Sequence, residues 1–197
     1  MNHTAVAATH EETSTGLSNF KLGFWTFIGS ETLFFGALIS AYMVYQGRSV
    51  TGPYPSNVFD IELTTLSTFV LLMSSLAMVL ALAMVQKGSR KGSLFWLLAT
   101  AVMGMIFLGF QAYEFTHFVH NGLKLDTNLF GSTFYLLTGF HGAHVTVGVL
   151  WLLALWVQAL RGQLGQGDAL RVEVAGLYWH FVDIVWIIIF TFVYLLD

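Results

Sequence analysis

The chain has 197 residues, of which 56% are hydrophobic and only 10% charged, and its mean hydropathy is +0.70. Soluble domains carry about 25% charged residues, so this composition belongs to an integral membrane protein. With no cysteine, it excludes disulfides, iron–sulfur clusters, thiolate copper centres and the thioether attachment of c-type haem. The formal net charge of −3 carries little information, because in a membrane protein the placement of charges matters more than their sum.

Residues 1–20 are polar, contain Glu11 and Glu12, and have no basic leader, so they read as a soluble tail and not as a cleavable signal peptide. His3 and His10 lie in this tail and carry no assigned role. Residues 21–197 form a membrane domain with five segments of spanning length: Leu22–Tyr45, Leu63–Val85, Leu94–Phe115, Leu129–Leu160 and Val174–Leu196. Each reaches the roughly 20 residues that a bilayer requires. The connections are short and polar, with Pro53 and Pro55 in the first, and suit antiparallel neighbours. The expected fold is therefore all-α: a polytopic bundle of five transmembrane helices, with no internal repeat and no nucleic-acid-binding element.

Six basic residues (Lys21, Lys87, Arg90, Lys91, Arg161, Arg171) fall on one side, against Arg48 and Lys124 on the other. The bias puts the amino terminus inside and the carboxyl terminus outside.

The polar residues inside the spans carry the chemistry. Glu31 lies ten residues beyond Lys21, about 15 Å into the first span at 1.5 Å per residue. Counted from Arg171, His180 and Asp183 lie about 14 and 18 Å deep; counted back from Arg161, His144 and His141 lie about 26 and 30 Å deep. A carboxylate at mid-membrane costs roughly 2.5–3.5 kcal/mol on insertion scales, so Glu31 and Asp183 should have partners inside the bundle. Together Glu31, His141, His144, His180 and Asp183 form a candidate buried polar centre, proton-handling, lipid-contacting or purely structural. For Glu31 the functional reading is preferred; for His180 and Asp183 the preferred reading is a mutually satisfied brace. His141 and His144 stand one turn apart, a spacing that also suits metal or haem ligation, but Gly139, Gly142, Ala143 and Gly148 around them point to close helix packing. Gln111 and Glu114 form a second polar pair near the outer end of the third span, read as structural at the subunit surface. His117 and His120 read as wet interfacial histidines, and Trp25, Trp96 and Trp179 as an interfacial belt. No catalytic, metal-binding or cofactor-binding residue is expected in this chain.

Four stretches resemble one family. Phe130-Gly131-Ser132-Thr133-Phe134-Tyr135-Leu136-Leu137-Thr138-Gly139-Phe140-His141-Gly142-Ala143-His144-Val145 is similar to the G-S-x-F-(F/Y)-x-x-T-G-F-H-G-x-H-V run of cytochrome c oxidase subunit III. Trp179-His180-Phe181-Val182-Asp183-Ile184-Val185-Trp186 resembles its W-H-F-V-D-x-V-W run, Ser30-Glu31-Thr32-Leu33-Phe34-Phe35 its S-E-x-x-F-F motif, and Phe110-Gln111-Ala112-Tyr113-Glu114-Phe115 its Q-A-x-E-(Y/F) segment. The stretches occur in family order. The mitochondrial form has two further helices at its start, so this chain looks like the five-helix form of bacterial haem-copper oxidases. The resemblance implies a subunit without redox cofactors, packed directly on oxidase subunit I, with subunit II and other respiratory subunits nearby. Haem and copper would reside in those partners. It implies support of subunit I stability and proton uptake, with phospholipid as a further ligand and Glu31 as the family's carbodiimide-reactive glutamate. The bacterial plasma membrane is the expected location, with the mitochondrial inner membrane as alternative. Glu31, where some quinol-oxidase members carry aspartate, leans towards the cytochrome c branch; a quinol oxidase subunit is the alternative. Two other classes remain: an independent b-type cytochrome ligated by His141, His144 and His180, and a proton-coupled transporter using Glu31 and Asp183. The second lacks the repeats and broken helices usual in transporters.

Overall fold

The structure, a computed structural model, describes residues 19–48 and 61–196. The readings of residues 1–18, including His3, His10, Glu11 and Glu12, and of Pro53 and Pro55 lie outside the described residues. Five helices are long and apolar enough to cross a membrane: α1 (Asn19–Tyr45), α2 (Ile61–Gln86), α3 (Arg90–His120), α4 (Leu129–Leu160) and α5 (Ala169–Ile189). A 3₁₀ turn, Gln166–Asp168, leads into α5, and a π-helical turn, Phe190–Leu195, extends it. In lipid a helix satisfies its own backbone, and no strand occurs among the described residues.

The expected spans are present, and α3 is longer than hydropathy alone indicated, beginning at Arg90 and ending at His120. Its start is set by Ser89, whose hydroxyl accepts from the Gly92 amide, and α4 starts where Asn128 Oδ1 accepts from the Gly131 amide at 2.7 Å. Both caps satisfy amides that the first helical turn leaves free. The α2 and α4 ends turn on Gly88 and Gly162, with φ of 69° and 72°, a left-handed conformation that glycine adopts without a Cβ clash. Arg90, at the start of α3, donates to the Ala159 and Leu160 carbonyls at 3.3 and 2.6 Å, placing a cation at the negative end of α4.

α2, α3, α4 and α5 close a four-helix ring: α2 packs on α3 and α5, and α4 packs on α3 and α5. α1 stands outside that ring and rests mainly on α4 and α5. Close approach inside the ring depends on glycine. A Cβ on Gly104 would lie 2.5 Å from Trp179 Cη2, and one on Gly148 would lie 2.9 Å from the other edge of the same indole. Trp179 is therefore a core residue, only 1% exposed, and not part of an interfacial belt; its Nε1 donates to Ser74 Oγ at 2.9 Å. Trp25, at 51% exposed, does face outward. Of the small residues near His141, Gly142 and Gly148 sit at helix contacts, whereas Ala143 is exposed and Gly139 has open space over its Cα.

At the basic end, Lys21 Nζ meets Glu173 Oε1 at 2.7 Å, tying α1 to α5. Both side chains are partly exposed, and such pairs contribute about 0–1 kcal/mol. Lys21→Met should therefore change the thermal midpoint of the assembled protein very little; a loss of α1 packing would show this pair to be essential.

Candidate functional site: a divided polar layer

The five groups expected to share one centre are distributed over three separate contacts. The first joins α1 to α4, where His144 Nε2 lies 3.2 Å from Glu31 Oε2, with side chains 19% and 20% exposed. The other nitrogen of His144 contacts its own helix, Nδ1 to the Phe140 carbonyl, at 2.8 Å. Phe35 sets a ring edge against the imidazole, with centroids 4.9 Å apart. Glu31 is 12 residues, about 18 Å, from the start of α1, and His144 is 16 residues, about 24 Å, from the end of α4. The two meet where α1 packs along α4, which at 32 residues, about 48 Å, is longer than the bilayer core.

The second contact is deep in the ring. His141 is fully buried, its Nε2 lies 3.3 Å from the Val182 carbonyl of α5, and its ring rests on Trp186 with centroids 4.8 Å apart. Phe107 of α3 closes the third side, edge-on, with centroids 5.8 Å away.

The third contact joins α5 to α2. His180 and Asp183 do not form a mutual brace: His180 Nδ1 bonds to Ser75 Oγ at 2.6 Å. Asp183 is only 3% exposed and neither oxygen has a well-formed hydrogen bond, although the Ser75 hydroxyl lies close by. One turn separates the two residues along the helix, but each side chain leans towards α2 and finds Ser75 before it finds the other. The brace is therefore between helices, and not within one.

Gln111 and Glu114 are buried in the bundle, and not at its surface. Gln111 Nε2 donates to the Thr138 carbonyl at 2.7 Å, while Oε1 lies over Gly142, where a Cβ would approach it to 2.6 Å. Glu114 accepts from Thr64 Oγ1 at 2.9 Å and from Tyr194 OH at 3.2 Å. The π-helical turn at the end of α5 is where Tyr194 sits, buried against this carboxylate. His117 and His120 occupy the exposed last turn of α3, and His117 stacks on Tyr113. Among the described residues no cluster of three or more His, Asp or Glu has metal-binding geometry.

The family model for cytochrome c oxidase subunit III matches residues 2–197. The chain belongs to the cytochrome c oxidase subunit III family. It is similar to the quinol oxidase subunit 3 of Bacillus spizizenii, with 39% identity over 94% of this chain and 90% of the relative. It is equally similar, at 39%, to the cytochrome c oxidase subunit 3 of Alkalihalophilus pseudofirmus, over 95% of this chain and 92% of the relative, and to that of a Bacillus species over 96% and 91%. As a haem-copper oxidase subunit III, it is a membrane protein that works within a complex of several subunits.

The geometry gives a reason for each of the four family-like stretches. They interlock: Glu31 of the first pairs with His144 of the third, and Gln111 of the second lies over Gly142 of the third. His141 of the third reaches the Val182 carbonyl of the fourth, and Trp186 of the fourth donates to Thr68 Oγ1 at 2.9 Å. Sequence reasoning missed the hydroxyl partners Ser74, Ser75, Thr64 and Thr68, together with Tyr194. The available signal was the set of Ser and Thr at positions 64, 67, 68, 74 and 75, which share one face of α2 at spacings of three, four and seven residues.

Proposed function

We propose that this chain is the non-redox subunit III of a terminal oxidase in aerobic respiration, packed directly on catalytic subunit I and stabilising it while sustaining proton uptake. Haem and copper belong to the partner subunits, and subunit II completes the neighbourhood. The observation that carries this reading is the family-wide match together with the use made of its motif imidazoles. His141, His144 and His180 each spend a ring nitrogen on a protein partner, on three different helix contacts, and do not converge on one porphyrin-sized space. That weighs against an independent b-type cytochrome. The polar residues then act as ties: Glu31 with His144, His141 with α5, His180 and Asp183 beside α2, and Gln111 and Glu114 within the ring.

The basic bias supports an amino terminus on the cytoplasmic side of a bacterial plasma membrane and a carboxyl terminus outside, with residues 1–20 as a polar tail and 21–197 as one membrane domain. A groove of about 630 Å³ between α1 and α5, walled by Thr32, Gly36 and Ser40 on one side and Ile184, Ile188 and Phe192 on the other, supports phospholipid as a ligand. Glu31 supports cytochrome c as the electron donor. A quinol oxidase is the second reading, favoured by the equal similarity to the Bacillus spizizenii quinol oxidase subunit.

Purification of the native complex through a tag on this chain should bring down a haem-copper subunit, while the chain expressed alone should be colourless. Recovery without such a subunit, or a Soret band in the isolated chain, would overturn the reading. Oxidation of reduced cytochrome c against oxidation of a quinol by the same complex separates the two donors. Within it, Glu31→Gln should leave assembly intact, since a neutral amide still donates to His144 Nε2; absence of the chain from the purified complex would make Glu31 a structural keystone.

A further inference from the structure

We propose that Glu31 and His144 form a one-proton site: together they hold a single proton on the Nε2···Oε2 line and pass it between carboxyl and imidazole. The proposal deepens the reading of this pair as a tie between α1 and α4, and rests on the tie being present. The argument is one of donors and acceptors. A backbone carbonyl only accepts, so the 2.8 Å contact from His144 Nδ1 to the Phe140 oxygen requires a hydrogen on Nδ1. In a neutral ring that leaves a bare lone pair on Nε2. Nε2 faces Glu31 Oε2 at 3.2 Å, and a carboxylate oxygen also only accepts, so the contact needs one hydrogen between them.

Two forms satisfy this, a carboxylic acid with neutral imidazole, or a carboxylate with imidazolium. They interconvert by breaking one O–H bond and forming one N–H bond, with no electron transferred and the pair's total charge at zero throughout. No second hydrogen fits on the line, and none at all would set two lone pairs against each other.

The surroundings leave the pair to itself. From α5, Tyr178 donates its hydroxyl to the His144 carbonyl at 3.0 Å. On α4, His141 turns its Nε2 to Val182, and on α1 the nearest cation, Lys21, is bonded to Glu173. The pair opens on a groove of about 440 Å³ whose other walls are apolar or aromatic, including Phe27, Phe140, Val147 and Trp151. Passing the proton turns a neutral hydrogen bond into an ion pair without changing the charge that α1 and α4 present to the membrane. The tie between them can thus change strength with no net charge movement.

The test is infrared difference spectroscopy of the intact purified complex, comparing wild type with Glu31→Gln and with His144→Phe, and using isotope-labelled histidine to mark imidazole bands. The wild type should show one proton shared by the two groups, as the donor and acceptor geometry requires. Deuterium-sensitive bands of either the acid with neutral imidazole or the carboxylate with imidazolium should account for it; in Glu31→Gln the carboxyl or carboxylate band should vanish and the imidazole should be neutral. A protonated acid together with imidazolium, or a carboxylate together with neutral imidazole, would overturn the proposal. So would a Glu31 band unaltered by His144→Phe. Should Glu31→Gln not assemble, the Glu31 carboxyl band together with the labelled-histidine bands of wild type against His144→Phe gives the same count. Co-purification of the haem-copper subunit is scored separately, so failure of the oxidase reading and failure of the one-proton site are distinguished.

Discussion

Gly104→Val is expected to cost this subunit its place in the complex. A Cβ at position 104 would stand 2.5 Å from Trp179 Cη2 and 2.8 Å from Val149 Cγ2, and valine adds two more methyl groups beyond it. The indole has no room to retreat. It is 1% exposed, its opposite edge lies against Gly148, and its nitrogen is bonded to Ser74 of α2. Overpacking of a tight core costs about 1–3 kcal/mol, and a displaced indole would forfeit about 1 kcal/mol more for its hydrogen bond. The combined loss falls on the contact where α3, α4, α5 and α2 meet, so the expected readout is a large drop in thermal midpoint and depletion of the chain from purified oxidase. Gly109→Val is the control, on the same helix but with nothing within 4 Å of the added carbon. Equal stability of the two variants would refute this account of the ring's packing.

Glu114→Ala is expected to be nearly as damaging, for the opposite reason. It removes an acceptor of the Thr64 and Tyr194 hydroxyls, both buried, so each loses a hydrogen bond inside the ring. Losing the acceptor costs about 1–3 kcal/mol for each buried donor, so the variant should lose roughly 2–6 kcal/mol. Glu114→Gln keeps one oxygen as acceptor and should lose less than half of that. Tyr194→Phe removes donor and demand together, at about 1 kcal/mol. In Tyr194→Phe/Glu114→Ala the two costs should fall short of their sum, because the pair they share is counted once. Full additivity in thermal unfolding of the complex would show that the hydrogen bond between α3 and the end of α5 carries no stability.

These two sites show different degrees of legibility in the sequence. Glu114 and Gln111 stood out as polar residues in an apolar span, but their depth along α3 pointed to the surface, whereas their rotation about the helix axis turns them into the ring. Trp179 read as a belt residue from its distance to the basic end, and its place beneath Gly104 and Gly148 required knowing which helices touch. His180 and Asp183 read as each other's partner, but His180 bonds instead to Ser75, a hydroxyl on a helix about a hundred residues away in the chain.

What the sequence determined by itself is one-dimensional: the number of spans, their approximate ends, the basic end, the residues that water or lipid alone would not satisfy, and the family. Those follow from length, hydropathy and local capping, because each helix satisfies its backbone within itself and the solvent decides its composition. The tertiary structure decided the pairings. A helix advances about 100° per residue, so a partner is chosen by rotation and axial offset, and both are set by packing against neighbours that the local sequence does not name. The contact of Glu31 with His144 illustrates both, since it depends on α1 docking outside the ring against α4.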